Sequence, residues 1–292
     1  HEIIMRPRDI LNDLDSMVVS LDEPYAGGLP SWYVYKAMAK EVKVVMTGTG
    51  GDELFGNYGK WRGYYGFSAI KRFAQRTKSQ GIKEVLKYPN GARYNGYFLE
   101  NEKKKICGNT DGLFESTPQL IENIWREAKT SDPRQAVAYV DLATQLPEEF
   151  LMMTDRFSMA WSLEARTPFL DRDLMEYALS LNADLKTNPK NLKIILKNAV
   201  SDLIPKNVLR AGKRGFVLPV RSCIKGVLRP VVELYLGEKF LKDQDIFDCR
   251  IYKQYVIPHM NGGADNSWRI WTLLMFQLWW AQSQNILNED IK

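Results

Sequence analysis

The spacing of apolar and polar residues predicts an α/β region near the start of the chain. Apolar positions at helical spacing from Pro30 to Glu41 predict a helix. Residues 42–46 (VKVVM) follow directly, and because four of the five are apolar, they predict a strand in a sheet covered on both faces. The strand ends in a Gly-rich turn at 47–56 (TGTGGDELFG). Ligands of open α/β sheets bind beyond the carboxyl ends of the strands, so this turn is the first candidate site.

Helical patterns dominate the second half of the chain. Asp132 and Pro133 are the residue types of a helix cap and a first helical residue, and residues 134–146 continue at helical spacing. Asp171 is the predicted cap of a helix over residues 173–181.

The last apolar segment, Trp268 to Trp280, also has helical spacing, which predicts packing in the core rather than a cofactor site. These patterns together predict an α/β region followed by a mainly helical one.

Composition narrows the chemistry. Of the 292 residues, 45% are apolar and 26% charged, which is typical of a folded globular protein. The net charge of +5 is small and mixed along the chain, so no nucleic-acid partner is expected. Three cysteines without paired spacing fit a reducing cytoplasm, and no apolar run approaches the roughly 20 residues of a membrane span. With two histidines only, zinc sites and Ser-His-Asp catalysis are disfavoured, which leaves carboxylates, lysines and arginines.

The Gly-rich turn has two interpretations. Three glycines at positions 48, 50 and 51 allow the backbone amides to approach a ligand. Asp52 and Glu53 would repel phosphate oxygens unless a cation lies between them, and Mg²⁺ suits that role. The alternative is that both carboxylates stabilise the start of a helix at Leu54.

Two further charged groups stand out. Glu164 and Arg166 lie among apolar and small residues. They are either a buried structural ion pair, or the carboxylate of Glu164 positions an amine or takes up its proton. A helix is predicted over residues 192–204, with Asn191 near its start. If helical geometry extends back to residue 190, then Lys190, Lys193 and Lys197 share one face, because they are three and four residues apart.

That face is either an exposed basic stripe or the source of an ammonium that neutralises pyrophosphate. The turn at 213–216 (KRGF) is similarly suited to a phosphate or to solvent.

Four segments in this order resemble glutamine-dependent asparagine synthetases over residues 1–220. They are 22–38 (DEPYAGGLPSWYVYKAM), 42–58 (VKVVMTGTGGDELFGNY), 154–181 (TDRFSMAWSLEARTPFLDRDLMEYALSL) and 192–219 (LKIILKNAVSDLIPKNVLRAGKRGFVLP). The resemblance implies a partial open parallel sheet of the ATP-pyrophosphatase (adenine nucleotide alpha hydrolase-like) type, followed by a mainly helical region. It also implies an asparagine-synthetase-like domain over residues 1–220, with a helical extension over 221–292 that packs on the same domain.

The family's chemistry implies the cofactors and partners. It activates a carboxylate with ATP and Mg²⁺ to an acyl-adenylate, and ammonia from an N-terminal glutaminase domain then displaces AMP. By position, Asp52 matches the family's ligand of Mg²⁺–pyrophosphate, and Lys193 matches the lysine that stabilises pyrophosphate. Glu23 matches an acidic residue near the synthetase cleft. Glu164 and Arg166 match the pair of residues that lines this cleft. The residues expected to bind the cofactor are Thr47, Gly48, Gly50, Gly51, Asp52 and Glu53.

The sequence also departs from the family in ways that change the expectations. It lacks the Ser-Gly-Gly-x-Asp-Ser pyrophosphate loop and the glutaminase domain, which predicts a chain that is inactive alone. The chain is then either a fragment of a longer protein, which we favour, or one whose partner supplies the rest. Thr49 stands where the family usually has Glu, so the acid is either aspartate or another carboxylate, such as a sugar, peptide or β-lactam precursor. A non-catalytic interaction module is the third alternative, and retention of Asp52, Lys193 and Glu164 argues against it. Expected partners exclude a membrane, and a homodimer remains open.

Overall fold

The fold is given by a computed structural model, which describes residues 6–91, 96–107, 115–211 and 219–290. These residues form a mixed α/β structure that is mostly helical. The α-helices are α1 (Pro7–Leu21), α2 (Leu29–Met38), α3 (Gly51–Phe55), α4 (Gly66–Gln80), α5 (Ile82–Lys87), α6 (Glu100–Ile106), α7 (Thr117–Glu127), α8 (Pro133–Ala143), α9 (Met152–Met159), α10 (Arg172–Ser180), α11 (Ala183–Lys186), α12 (Ile194–Ala199), α13 (Lys206–Arg210), α14 (Val220–Lys225), α15 (Arg229–Tyr235), α16 (Glu238–Gln244), α17 (Ile257–Met260) and α18 (Ser267–Asp290). Shorter 3-10 turns occupy Asn57–Tyr64 and Pro168–Leu170, and π-helical turns occupy Leu146–Leu151 and Tyr252–Val256.

Several helices begin where the sequence predicts. Asp132 caps α8 by accepting a hydrogen bond from the backbone N–H of Arg134 at 2.8 Å, and Pro133 is the first helical residue. Asp171 caps α10 by accepting from the backbone N–H groups of Asp173 and Leu174. In both cases a short acidic side chain satisfies N–H groups that have no partner within the helix.

The two strands of the described residues form a small parallel sheet. β1 (Val44–Met46) pairs with β2 (Glu164–Arg166), with Val45 opposite Ala165. The observed strand therefore begins two residues later than the predicted one, which started at residue 42. The prediction that both faces of this strand are covered is wrong for this part of the chain. Side chains alternate across a strand, so Val45 is buried while Val44 and Met46 are 43% and 67% exposed.

One large core joins the early helices to the last ones. Apolar residues of α1 recur at helical spacing and belong to one buried cluster with residues of α14, α15 and α18. The shared members include Ile10, Leu14, Val18, Ile224, Val232, Ile270 and Leu274. The helices after residue 220 therefore pack against the preceding part, whereas a domain boundary at 220 stays a prediction.

The Trp-rich helix α18 lies in this core. Trp271, Met275 and Leu278 are each at most 2% exposed, which confirms the predicted core packing. Trp268 differs, because it is 39% exposed and stacks on Tyr97 with ring centroids 5.6 Å apart.

A second, smaller cluster holds the Gly-rich segment in place. Leu54 and Phe55 of α3 are buried with Ala178 of α10, and partly buried apolar residues pack around them. Phe55 meets Phe169 edge to face with ring centroids 6.2 Å apart. This cluster fixes α3, and hence the loop after β1, against the turn that follows β2.

Candidate active site at the Gly-rich loop

The loop after β1 is shaped by close packing at glycine. Gly50 has φ +90°, and a Cβ atom there would lie 2.3 Å from Cδ2 of Leu170. A Cβ atom at Gly51 would lie 3.2 Å from the ring of Phe169. Glycine at position 50 is thus required both by its positive φ and by the near approach of the turn after β2. The carboxyl ends of both strands meet here, as expected for a ligand-binding edge.

The loop also has an open side. A Cβ atom at Gly48 would meet no atom within 4 Å. The Thr47 hydroxyl donates to the Thr49 hydroxyl at 3.1 Å, and the Thr47 backbone N–H donates to the carbonyl of Arg166 at 2.8 Å. The backbone at Gly48 is therefore held from one side and accessible from the other.

Asp52 and Lys193 meet at this loop. The Lys193 ammonium lies 3.0 Å from Oδ1 of Asp52, and the two side chains are 29% and 20% exposed. The backbone N–H of Lys193 donates to the carbonyl of Phe55 at 3.0 Å, which ties the lysine segment to the end of α3. Gly56 makes room for it, since a Cβ atom there would lie 3.1 Å from Cβ of Leu192.

The predicted helical face of three lysines is wrong. The helix α12 begins at Ile194, and Lys193 precedes it with a left-handed φ of 58°. Lys190 lies before the helix in a turn, where its backbone N–H donates to Oδ1 of Asn188, and only Lys197 is within α12. The lysine that faces Asp52 is thus positioned by a strained turn rather than by a helix.

Glu53 points into the protein. Its side chain accepts a hydrogen bond from the Tyr58 hydroxyl at 2.7 Å, and the residue is 2% exposed. Burial, followed by the hydrogen bond to Glu53, raises the pKa of Tyr58 and keeps the phenol protonated. The first turn of α3 therefore directs Asp52 and Glu53 to different partners, and a cofactor role for Glu53 stays a prediction.

Glu164 and Arg166 form an exposed pair. They lie two residues apart on β2 and so project from the same face, with Nε of Arg166 2.8 Å from Oε1 of Glu164. Their side chains are 57% and 59% exposed, so the prediction of a buried pair is wrong. An ion pair in water contributes little to stability.

Glu23 pairs with a residue outside the loop. Nη2 of Arg156 lies 3.1 Å from Oε1 of Glu23, and Arg156 also donates to the carbonyl of Leu21. Arg156 belongs to α9, which leads into β2. The side chain of Glu23 remains 46% exposed.

A polar network next to Tyr58 was missed at the sequence level. Lys60 donates to Asp141 and to Gln145, each at 2.5 Å, and Asp141 is 0% exposed. Gln145 in turn donates to Glu149, which also accepts from the hydroxyl of Tyr25. Asp141 and Gln145 are four residues apart in an otherwise apolar helical pattern, a signal that could have indicated them.

Asp52 suits a magnesium ion bound together with phosphate. Among the described residues there is no cluster of three acidic, histidine or cysteine side chains that could hold a metal by itself. Mg²⁺ commonly takes one or two carboxylates and completes its shell with phosphate oxygens and water. A single carboxylate beside an accessible loop backbone fits that pattern. The turn at 213–216 lies outside the described residues.

The fold is that of a mixed α/β protein in which a charged, glycine-rich loop lies at the carboxyl ends of two parallel strands. The sequence matches the asparagine synthase family over residues 1–281, and the chain belongs to this family.

It is 28% identical over 300 residues to asparagine synthetase [glutamine-hydrolyzing] 1 of Bacillus subtilis (strain 168), covering 94% of this chain and 46% of that protein. It is 29% identical over 290 residues to a putative asparagine synthetase [glutamine-hydrolyzing] of Mycobacterium tuberculosis (strain ATCC 25618 / H37Rv), covering 92% and 44%. The chain therefore spans less than half the length of these curated relatives. In the part that the structure describes, no helix is long and apolar enough to cross a membrane.

Proposed function

We propose that this chain is the synthetase-type part of an ATP-dependent amide-forming ligase of the asparagine synthetase kind. In this reaction a carboxylate attacks the α-phosphorus of ATP, pyrophosphate leaves, and ammonia then displaces AMP from the acyl-adenylate. A glutaminase domain of the whole protein is the proposed source of ammonia. Family membership and the names of the relatives support the reaction class.

The contact between Asp52 and Lys193 carries the proposal. These residues are 141 positions apart, yet a carboxylate and an ammonium lie 3.0 Å from each other at a glycine-built loop. Pyrophosphate with Mg²⁺ offers each of them a complementary partner, because the carboxylate can bind the cation and the ammonium the phosphate oxygens. Asp52 would hold the Mg²⁺ ion, which would supply the positive charge that offsets the repulsion between this carboxylate and the phosphates.

We further propose that β1 and β2 belong to an open parallel sheet of the ATP-pyrophosphatase type. Parallel pairing over three residues and the joining of both strand ends at one loop support it.

A pyrophosphate-exchange assay tests the function. We expect the full-length polypeptide containing this chain to exchange labelled pyrophosphate into ATP when its own acid is present. Calorimetry on the same full-length polypeptide adds a second measurement, in which Mg²⁺–pyrophosphate should bind and Lys193→Met should weaken its binding. Lys190→Met is the matched control. Exchange that fails with every acid would favour a non-catalytic interaction module.

The identity of the acid is a separate question, and Thr49 favours a second candidate. Its hydroxyl is hydrogen-bonded to Thr47, so this position of the loop offers no carboxylate to the reacting group. We therefore propose, as the alternative, adenylation of a sugar, peptide or β-lactam-type acid. An exchange rate that is highest with aspartate would overturn the alternative, whereas a Thr49→Glu variant that gains exchange with aspartate would support it.

A further inference from the structure

Lys60 lies at the centre of the polar network beside the Gly-rich loop. Its ammonium donates to Oδ2 of Asp141 and to Oε1 of Gln145, each at 2.5 Å, and lies 5.4 Å from the ring centroid of Tyr58. Asp141 is fully buried, whereas the side chain of Lys60 is 33% exposed. Because one ammonium pairs with a buried carboxylate of α8 and also lies over an aromatic ring, Lys60 holds the ring of Tyr58 against α8.

Tyr58 carries this restraint to the first turn of α3. Its hydroxyl donates to Oε1 of Glu53 at 2.7 Å, and Glu53 is 2% exposed. Glu53 follows Asp52 directly, so a bond that fixes one of these side chains limits the movement of the other. Tyr58 also has a left-handed φ of 54°, which is unfavourable for an aromatic residue. Such strain persists only where surrounding contacts hold it, and it is common at functional sites.

Helix α3 needs a restraint of this kind because it is short. It has five residues, Gly51–Phe55, and a helix of this length has little stability of its own. In the structure the ion pair between Asp52 and Lys193 also holds its polar side. Mg²⁺–pyrophosphate would engage both of these residues, so their mutual contact would weaken when the ligand binds. The bond from Tyr58 to Glu53 does not involve either of them and would continue to hold the helix.

We propose that Lys60 is a positioning residue that holds the carboxylate of Asp52 in place for Mg²⁺. It acts through its contact with Tyr58 and the bond from Tyr58 to Glu53. This inference rests on the proposed role of Asp52 as the ligand of Mg²⁺. The ammonium of Lys60 is engaged by its two acceptors, so the lysine acts through its neighbours rather than on the metal.

Pyrophosphate exchange by the full-length polypeptide tests the effect on the site. Lys60→Met should raise the Mg²⁺ concentration at half-maximal exchange about 10–100-fold, as is typical when a residue that orients a metal ligand is replaced. Tyr58→Phe removes the hydroxyl that bonds to Glu53 and should shift the Mg²⁺ requirement in the same direction. If Lys60 acts through Tyr58, the two substitutions together should shift it by far less than the product of their separate effects. A lysine that served stability alone would lower the melting temperature without changing the Mg²⁺ requirement.

Hydrogen–deuterium exchange adds a measurement that does not depend on activity. In the same polypeptide, the backbone amides of residues 47–56 should take up deuterium faster in Lys60→Met and in Tyr58→Phe than in the parent. The reason is that α3 opens more readily when its restraint is removed. Circular dichroism melts verify that each variant is folded. Should Lys60→Met fail to fold, Lys60→Gln, which keeps an N–H donor beside Asp141, takes its place.

Lys36→Met is the matched control. The Lys36 ammonium lies 2.7 Å from Oδ2 of Asp13 and 5.2 Å from the ring centroid of Trp161, so it has the same kinds of partner as Lys60. Its side chain is 35% exposed, which is close to the value for Lys60, but it joins α2 to α1. This substitution should leave both the Mg²⁺ requirement and the deuterium uptake of residues 47–56 unchanged.

The proposal is overturned if a folded Lys60 variant keeps either the Mg²⁺ requirement or the deuterium uptake of residues 47–56 of the parent. It is also overturned if Lys36→Met changes them equally, or if the effects of Lys60→Met and Tyr58→Phe simply multiply. A parent that exchanges pyrophosphate with no acid would instead defeat the proposed function. The deuterium uptake of residues 47–56 would then decide by itself whether Lys60 positions α3.

Discussion

Replacing Asp52 with asparagine separates a role in ligand binding from a role in folding. The substitution removes the charge while preserving the size of the side chain. In the structure it breaks the ion pair to Lys193 at 3.0 Å, between side chains that are 20% and 29% exposed. Exposed pairs contribute up to about 1 kcal/mol, and breaking a buried pair costs about 3–5 kcal/mol. For this partly exposed pair we expect a loss of about 1–2 kcal/mol.

The expected effect on catalysis is much larger. A loss of about 1–2 kcal/mol lowers the melting temperature by only a few degrees in a chain of this size and leaves the protein folded at 25 °C. Loss of a charge that acts on the transferred phosphates typically lowers the rate about 10²–10³-fold. The assays are pyrophosphate exchange on the full-length protein and a thermal melt of the same preparation.

A double-mutant cycle with Lys193→Met completes the experiment. If both residues act on one bound group, the two substitutions together should reduce exchange by far less than the product of their separate effects. The reasoning is refuted if Asp52→Asn keeps exchange within about fivefold of the parent. It is also refuted if the variant unfolds at 25 °C, because the carboxylate would then serve the start of α3.

Three further substitutions test the surroundings of the loop. Gly50→Ala should destabilise the fold by about 2–4 kcal/mol in urea unfolding, because its φ is +90° and the added Cβ would collide with a neighbouring leucine. Gly48→Ala is the control and should cost under about 1 kcal/mol, because its added Cβ would meet no atom within 4 Å. Lys60→Met should cost about 3–5 kcal/mol by removing the ammonium that pairs with the fully buried Asp141, and adding Asp141→Asn should recover part of that loss; equal stability of the single and double variants would contradict the network. Glu164→Gln should change the unfolding free energy by under about 1 kcal/mol, since its pair is exposed, and a larger loss would show that the pair supports β2.

Local signals were sufficient for the parts of the molecule that depend on near neighbours in sequence. Asp132 and Asp171 cap their helices because the donors they satisfy lie two or three residues away. The Gly-rich turn after a strand was visible for a similar reason, since only glycine takes positive φ easily at position 50. The segments shared with asparagine synthetases also indicated the family, which the match over residues 1–281 confirms.

Contacts between distant residues were decided by the tertiary structure. Asp52 meets Lys193 because the segment before α12 is hydrogen-bonded to the end of α3. Helical spacing cannot reveal such a contact between distant residues, and it led to the wrong prediction that Lys193 lies on a helical face. Exposure was misjudged for Val44 and Glu164 because the burial of a strand depends on what packs over it. An amphipathic pattern states that a helix has two faces, and only the packing of the whole chain determines which face meets the protein.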